Sequence, residues 1–311
     1  MERQYIANDT GFPYPASIDG RGRKGLLVLE KTGARAFSSE AELIAKRFVT
    51  ARQAGDSLPA FPGALPPDLA SAYACQDAAI ALVPDSIAGW KVGLIGKEGA
   101  AVFKQDRLAG PIFAGSVREA RAGEQVGFPV FRGGFAAVEA EFLLKLGCDA
   151  PPDRMKWTRE DARELVAAVH VGVETAGSPL ATINDLGPAA IVADFGNNDG
   201  LIIGPVLPEW RTMPIERWHC ETFVDDAAVG RGHAGVPPGG PFESLRFLLE
   251  LCARRSRPLT AGAWVSTGAI TGVHQVVAGQ TARVSFNGAG EVLCRAEPHR
   301  GARVAADASR W

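Results

Sequence analysis

The chain has 311 residues, with 33 Lys+Arg against 35 Asp+Glu and a net charge of −2. Hydrophobic residues make up 46% and charged residues 22%, which excludes a disordered, collagen-like or coiled-coil chain. There is no basic excess to hold nucleic acid and no run of about 18 apolar residues to span a membrane, so neither partner is expected.

The 36 glycines and 21 prolines fall in short clusters, the pattern of a loop-rich protein with many short strands. The five cysteines show no CxxC pair, so neither a zinc site nor a disulfide framework is expected. Each lies in an apolar stretch and reads as a buried free thiol, which fits a reducing, cytoplasmic setting.

Residues 1–37 read as an N-terminal extension with one short apolar run, Leu26–Leu29. A helix is predicted from Ser39, where Glu42 completes a capping box and Leu43, Ile44, Phe48 and Ala51 share a face. Prolines between Pro59 and Pro67 break it, and a second helix carries Leu69, Tyr73, Ile80 and Val83. Residues 38–87 thus form a small helical region. Residues 88–311 form the main body, where the pattern turns to short strands: Trp90–Leu94, Val138–Leu146, Val169–Glu174, Thr222–Val224, Ala263–Ser266, Thr281–Phe286 and Glu291–Arg295. Two helices interrupt them, one at Thr158 and one near Pro241 with Phe242, Leu245, Leu248, Leu249 and Cys252 on one stripe. Strands dominate without regular alternation, which points to an α+β fold.

The clearest chemical signal is Glu139-Ala140-Glu141 inside an apolar strand. Alternation puts both carboxylates on one face, about 7 Å apart. They repel unless a positive charge lies between them, and a hard divalent cation meets that need; an exposed polar face continuing to Lys145 is the plainer alternative. Glu174 ends a second apolar strand, where a carboxylate is costly unless bound or paired. It is a third ligand for the same cation or the partner of an arginine. Lys91 sits in Gly89-Trp90-Lys91-Val92-Gly93. Burial disfavours the charge of a lysine there, which then serves as proton donor or acceptor near neutral pH or pairs with an anion; an edge-strand lysine reaches solvent instead. Two glycine-rich stretches, Asp194–Gly200 and Ser266–Gly272, let backbone N–H groups approach a ligand carboxylate or form simple tight turns. His170, in an apolar strand, reads as a satisfied core residue. No GxSxG elbow or P-loop is present.

In this order these residues resemble the fumarylacetoacetate hydrolase superfamily, in its branch of 2-keto-4-pentenoate hydratases and 4-oxalocrotonate decarboxylases. The resemblance runs from about Ser38 to about Glu297, through Tyr73–Gln76, Gly89–Gly93, Glu139–Glu141, Glu174, Ala193–Asn197 and Ser266–Gly268. It implies a mixed β-roll behind a small helical cap. It also implies Mg²⁺ or Mn²⁺ held by Glu139, Glu141 and Glu174, Lys91 assisting proton transfer, and Ser266, Thr267 and Gly268 near the substrate carboxylate. The implied substrate is a small 2-oxo acid or its dienol and the implied reaction a hydratase-type water addition, with decarboxylation, acylpyruvate hydrolysis or non-catalytic binding as alternatives. A homo-oligomer is expected by analogy. The sequence departs from the family at Arg107–Pro111, where hydratases carry an acid, and at Gly177-Ser178, where an Asp-Ser pair is usual.

Overall fold

The computed structural model describes residues 29–301, with side chains from Ser39 onward. By internal contacts the chain divides into Met1–Ser39 and Glu40–Trp311, and the account below concerns the second unit. The extension assigned to 1–37 lies outside the described residues up to 28. From Leu29 the backbone is already helical, so α1 (Leu29–Ala54) begins ten residues before the Ser39 capping box. Residues 29–38 are mostly good helix formers, and a capping pattern inside such a run does not start a new helix.

In chain order follow α2 (Leu69–Leu82), β1 (Ile87–Leu94), α3 (Lys97–Phe103), β2 (Arg107–Phe113), β3 (Val117–Glu119), β4 (Gln125–Val130), β5 (Phe135–Leu146), α4 (Arg159–Glu164), β6 (Val166–Ser178), α5 (Pro188–Ala193) and β7 (Asn198–Val206). Then come β8 (His219–Val224), β9 (Ala227–His233), α6 (Gly240–Arg254), β10 (Trp264–Ser266), β11 (His274–Gln275), β12 (Thr281–Phe286) and β13 (Gly290–Pro298). The larger sheet runs β2-β1-β10-β5-β6-β7-β3, with β11 also on β5, and curls into a half-barrel; the smaller runs β4-β13-β12-β8-β9. This is the expected mixed α+β roll.

Caps account for several boundaries. The Asp68 carboxylate accepts the Ser71 N–H at the start of α2, and Thr158 accepts the Asp161 N–H at the start of α4. Strand β5 lies between the layers. One face, Ala140, Phe142 and Leu144, enters the main core, where the Phe142 ring meets Trp218 at 5.4 Å and Phe286 at 5.6 Å. Full burial of such a side chain contributes about 1.5–3 kcal/mol. The predicted stripe of α6 is buried on the same core, Phe242 through Cys252.

Six strands escape the sequence pattern: β3 and β11 are only three and two residues long, and in β2, β4, β7 and β9 glycine or proline breaks the alternation. Pro111 in β2 and Pro129 in β4 lie on edge strands, where a missing N–H costs no ladder bond. In β9, glycines let Gly230 and Gly232 pass the Thr271 and Ile270 carbonyls, which an added Cβ would meet at 2.5 and 2.4 Å. β7 is hidden because its first three residues belong to a glycine-rich turn. The body also holds four helices among the described residues rather than two, since α3 and α5 are only seven and six residues long. Cys75, Cys220, Cys252 and Cys294 are buried free thiols, but Cys148 is exposed, because β5 ends at Leu146 and leaves it in the turn. Among the described residues no helix is long and apolar enough to cross a membrane.

Candidate metal centre

Register assembles the site. β5 and β6 pair antiparallel with Glu139 directly opposite Glu174, so Glu139, Glu141 and Glu174 share the face of the sheet turned away from Phe142. Glu174 lies inside β6, four residues before its end, and not at a strand terminus as the sequence suggested. β10 bridges β1 to β5, setting Lys91 beside Ser266 and Ser266 beside Leu143. The three glutamates are 7%, 0% and 0% exposed, which removes the solvated-face alternative. One oxygen of each lies within 4.8 Å of the others.

Two of these carboxylates are each half satisfied. Glu141 Oε2 accepts from Ser266 Oγ at 2.5 Å and from the Gly268 N–H at 2.9 Å, while its Oε1 is buried without a partner. Glu174 Oε1 accepts from Asn198 Nδ2 at 3.1 Å and faces Lys91 Nζ at 3.3 Å, while its Oε2 is likewise without a partner. Buried polar atoms in native proteins are normally paired, so two carboxylate oxygens without a protein partner in one cluster of hard donors fit a divalent cation. Taking an ionised carboxylate out of water costs several kcal/mol without such compensation.

The protonation states carry the same strain. Burial pushes Glu139 up, Lys91 pulls it back and Glu174 adds to the rise, leaving it at about 7 against an ordinary 4.5. Burial, with Glu174 and Glu139 close by, holds Glu141 well above the carboxylate range although Ser266 and Gly268 favour its anion. Burial works against the Lys91 ammonium, but Glu174, Glu139 and Glu141 outweigh it and hold its pKa above the ordinary value. Burial disfavours the charge, as the sequence indicated, and of the roles open to a buried lysine the pairing with an anion is the one that Glu174 supplies. Lys91 is 5% exposed and flanked by β2 and β10, so it is no solvent-reaching edge lysine.

The Ser-Thr-Gly stretch is tied to β5. Ser266 and Gly268 hold Glu141, and Thr267 Oγ1 donates to the Phe142 carbonyl at 2.7 Å. The other glycine-rich stretch supplies groups the sequence did not single out. Phe195, Gly196 and Asn197 have φ of 54°, 66° and 64°, three consecutive left-handed residues. Two of them are not glycine, a strained arrangement of the kind that collects at functional sites. The turn aims the Gly196 carbonyl at Lys91 Nζ, 3.0 Å away, and delivers Asn198 to Glu174. Gly110 of β2 passes so near that a Cβ there would lie 1.8 Å from the Phe195 carbonyl oxygen. Arg52 of α1 clamps the turn from outside. Its Nε meets Asp194 Oδ1 at 2.6 Å, Nη1 donates to the Asn198 carbonyl and Asp199 Oδ1, both at 3.1 Å, and Nη2 donates to the Gly177 carbonyl at 2.8 Å. Ser178 Oγ completes the cluster, donating to Asp194 Oδ2 at 2.6 Å. His170 Nδ1 lies 3.0 Å from the Gly204 carbonyl, the satisfied residue expected.

A cavity of about 420 Å³ opens beside Lys91 and Glu139, within the size range of small-molecule sites, about 300–1,000 Å³. Among the described residues Lys91 and Glu139 are the only ionisable side chains in its wall; the others are aliphatic, aromatic, glycine or carboxamide. Leu108 lines it, and the neighbouring Arg107 turns away to Asp106 and the Pro238 carbonyl.

No family model matches the chain. Among solved structures it is similar to 4-oxalocrotonate decarboxylase from Pseudomonas putida G7 complexed with magnesium and adipate: TM-score 0.68, 18% identity, 87% of this chain and 98% of that one. The calcium and acetate complex of the same enzyme gives 0.68 and 20% over 83% and 97%. Fumarylpyruvate hydrolase from Pseudomonas aeruginosa, in complex with Mn²⁺ and pyruvate, gives 0.51 and 19% over 68% and 89%. The chain has the fold of these enzymes, which is the fold of the resemblance noted in its sequence.

Proposed function

We infer that the chain is a divalent-metal-dependent lyase acting on a small 2-oxo acid or its dienol, with hydratase-type water addition as the leading reaction. The observation that carries this is the buried Glu139–Glu141–Glu174 set with two orphaned oxygens beside an ammonium. Oxygen donors of this hardness suit Mg²⁺ or Mn²⁺, the cations named for two of the similar enzymes. When bound, such a cation supplies Lewis-acid stabilisation of the negative charge that develops at the C2 oxygen.

The chain's own groups do the rest. Asn198, Ser266 and Gly268 each occupy one carboxylate oxygen, which leaves the other free and fixes its direction. Lys91 Nζ, aimed by the Gly196 carbonyl, donates a proton to the substrate carbon as the dienol becomes the unsaturated ketone. The apolar part of the wall keeps bulk water from the reacting carbons.

Decarboxylation is the second reading. It needs one proton donor and no base for water, and among the described residues the wall contains no carboxylate outside the glutamate set. The test is purified protein with Mg²⁺ or Mn²⁺, given 2-hydroxypenta-2,4-dienoate while diene absorbance is followed. A second arm supplies an unsaturated 2-oxo dicarboxylate while CO₂ is collected. Metal-dependent loss of the diene supports water addition, and CO₂ release supports the second reading. Tight binding of metal and 2-oxo acid with turnover in neither arm overturns both in favour of a binding protein.

A further inference from the structure

We propose that Ser244, on α6, is a positioning residue for Glu141, and that it acts through the single peptide plane between Thr267 and Gly268. This rests on the metal-dependent reading above. It adds a group outside the glutamate cluster that sets the direction of one ligand, which that reading leaves open.

Two observations carry it. The first is where the Ser244 hydroxyl points. Ser244 lies near the start of α6 and is buried against the core. A serine inside a helix can turn its hydroxyl back on the carbonyl one turn earlier or out to solvent. Ser244 Oγ does neither: it leaves the helix and donates to the Thr267 carbonyl, 23 positions along the chain, at 2.8 Å. The second is what lies at the other end of that peptide. The Thr267–Gly268 bond is trans, so its C=O and N–H point in opposite directions within one rigid plane. The N–H end donates to Glu141 Oε2 at 2.9 Å. Fixing the carbonyl therefore fixes the donor, and a rotation of the plane breaks both bonds together. Gly268 sits at φ 111°, and glycine is the residue whose backbone turns most freely, so the plane needs an anchor from outside the turn. Ser266 Oγ holds the same Oε2 at 2.5 Å, and Oε1 is left without a protein partner. Thr267 Oγ1 is spent on the Phe142 carbonyl at 2.7 Å. Both hydroxyls of the turn and its Gly268 N–H are thus engaged with β5 and its Glu141, and Ser244 ties that arrangement to α6.

Mn²⁺ affinity of the chelator-stripped protein is measured by calorimetry, the bound ion by electron paramagnetic resonance, and folding by far-ultraviolet circular dichroism. Alanine favours the helix and removes only the hydroxyl. Ser244→Ala weakens Mn²⁺ binding about tenfold, the lower end of the effect of losing a group that orients a metal ligand. It also alters the zero-field splitting of the bound ion, which a loss of fold stability alone does not. Double variants assign the effect to Glu141. Combined with Ser266→Ala, which frees the same Oε2, the losses depart from their product by about threefold or more. Combined with Asn198→Ala, which releases Glu174 instead, they stay nearer to it. Should Ser244→Ala fail to fold, Ser244→Cys, a weak donor of similar size, carries the same comparison. Native Mn²⁺ affinity and spectrum in Ser244→Ala overturn the proposal and leave the metal reading standing, whether or not the variant is less stable. A departure no larger with Ser266→Ala than with Asn198→Ala also overturns it. Absence of stoichiometric Mn²⁺ binding by the unmodified chain sinks the metal reading itself, and the positioning proposal with it.

Discussion

Glu139 titrates at about 7 in the folded chain because burial outweighs the pull of Lys91. Between about 4.5 and 7 the folded chain therefore holds a proton there that the unfolded chain has released. Folding takes up protons in this window, and the stability of the metal-free protein falls as pH rises through it. The raised value carries no penalty below about pH 4.5 and its full penalty above about pH 7. A shift from 4.5 to about 7 amounts to roughly 3 kcal/mol, since one unit is worth about 1.4 kcal/mol. Asp199, raised to about 7 chiefly by burial against the pull of Arg52, adds a slope of the same sign over the same window. Urea unfolding with a chelator present, at pH 5, 6, 7 and 8, measures the total, and Glu139→Gln isolates one group. The variant gains on the unmodified chain as pH rises, by roughly 3 kcal/mol across the window, and levels off above about pH 7. A difference that stays flat from pH 5 to 8 refutes the reasoning, because it means Glu139 ionises in the folded chain as it does in water.

Other perturbations probe the supports of the site. Arg52→Ala strands Asp194 and Asp199, so it lowers stability by about 3–5 kcal/mol by chemical denaturation, and Arg52→Lys recovers only part, because an ammonium cannot span the separate acceptors of a planar fork. A loss below about 1 kcal/mol argues that the cluster is solvated. Gly110→Ala forces a Cβ into the Phe195 carbonyl, where backbone must move, and costs about 1–3 kcal/mol or more. A crystal structure of that variant with the 195–197 turn unmoved contradicts the close packing described here. Lys91→Met leaves Mn²⁺ binding in place, since no proposed metal ligand is removed, but abolishes turnover of the dienol; retention of more than about a tenth of kcat removes Lys91 from proton transfer.

Much of the site was readable because strand periodicity is strict. Glu139 and Glu141 had to share a face, and an apolar flank implied burial. Antiparallel register then set Glu174 opposite Glu139, which no local pattern encodes. Most strands that went unseen carry Gly or Pro at edges or close approaches, as Pro111 and Gly230 do, so composition argues against them while tertiary packing requires them; β3 and β11 are too short to show an alternation. Asn197 and Asn198 were visible only as part of a glycine-rich stretch. The reach of Asn198 to Glu174 depends on three consecutive left-handed residues held by Arg52, about 140 positions away in sequence. Lys91 was singled out, but the choice between its roles was not legible, because the sequence shows burial and not the three carboxylates that converge on it.

The central claim is that three distant glutamates form one divalent-cation site. Mn²⁺ titration of the chelator-stripped protein at pH 8, followed by electron paramagnetic resonance, tests it most directly. One Mn²⁺ binds per chain, and binding is lost or weakened at least about tenfold in each of Glu139→Gln, Glu141→Gln and Glu174→Gln while the far-ultraviolet circular dichroism spectrum is unchanged. Binding undiminished in all three variants, or no stoichiometric binding by the unmodified chain, contradicts it.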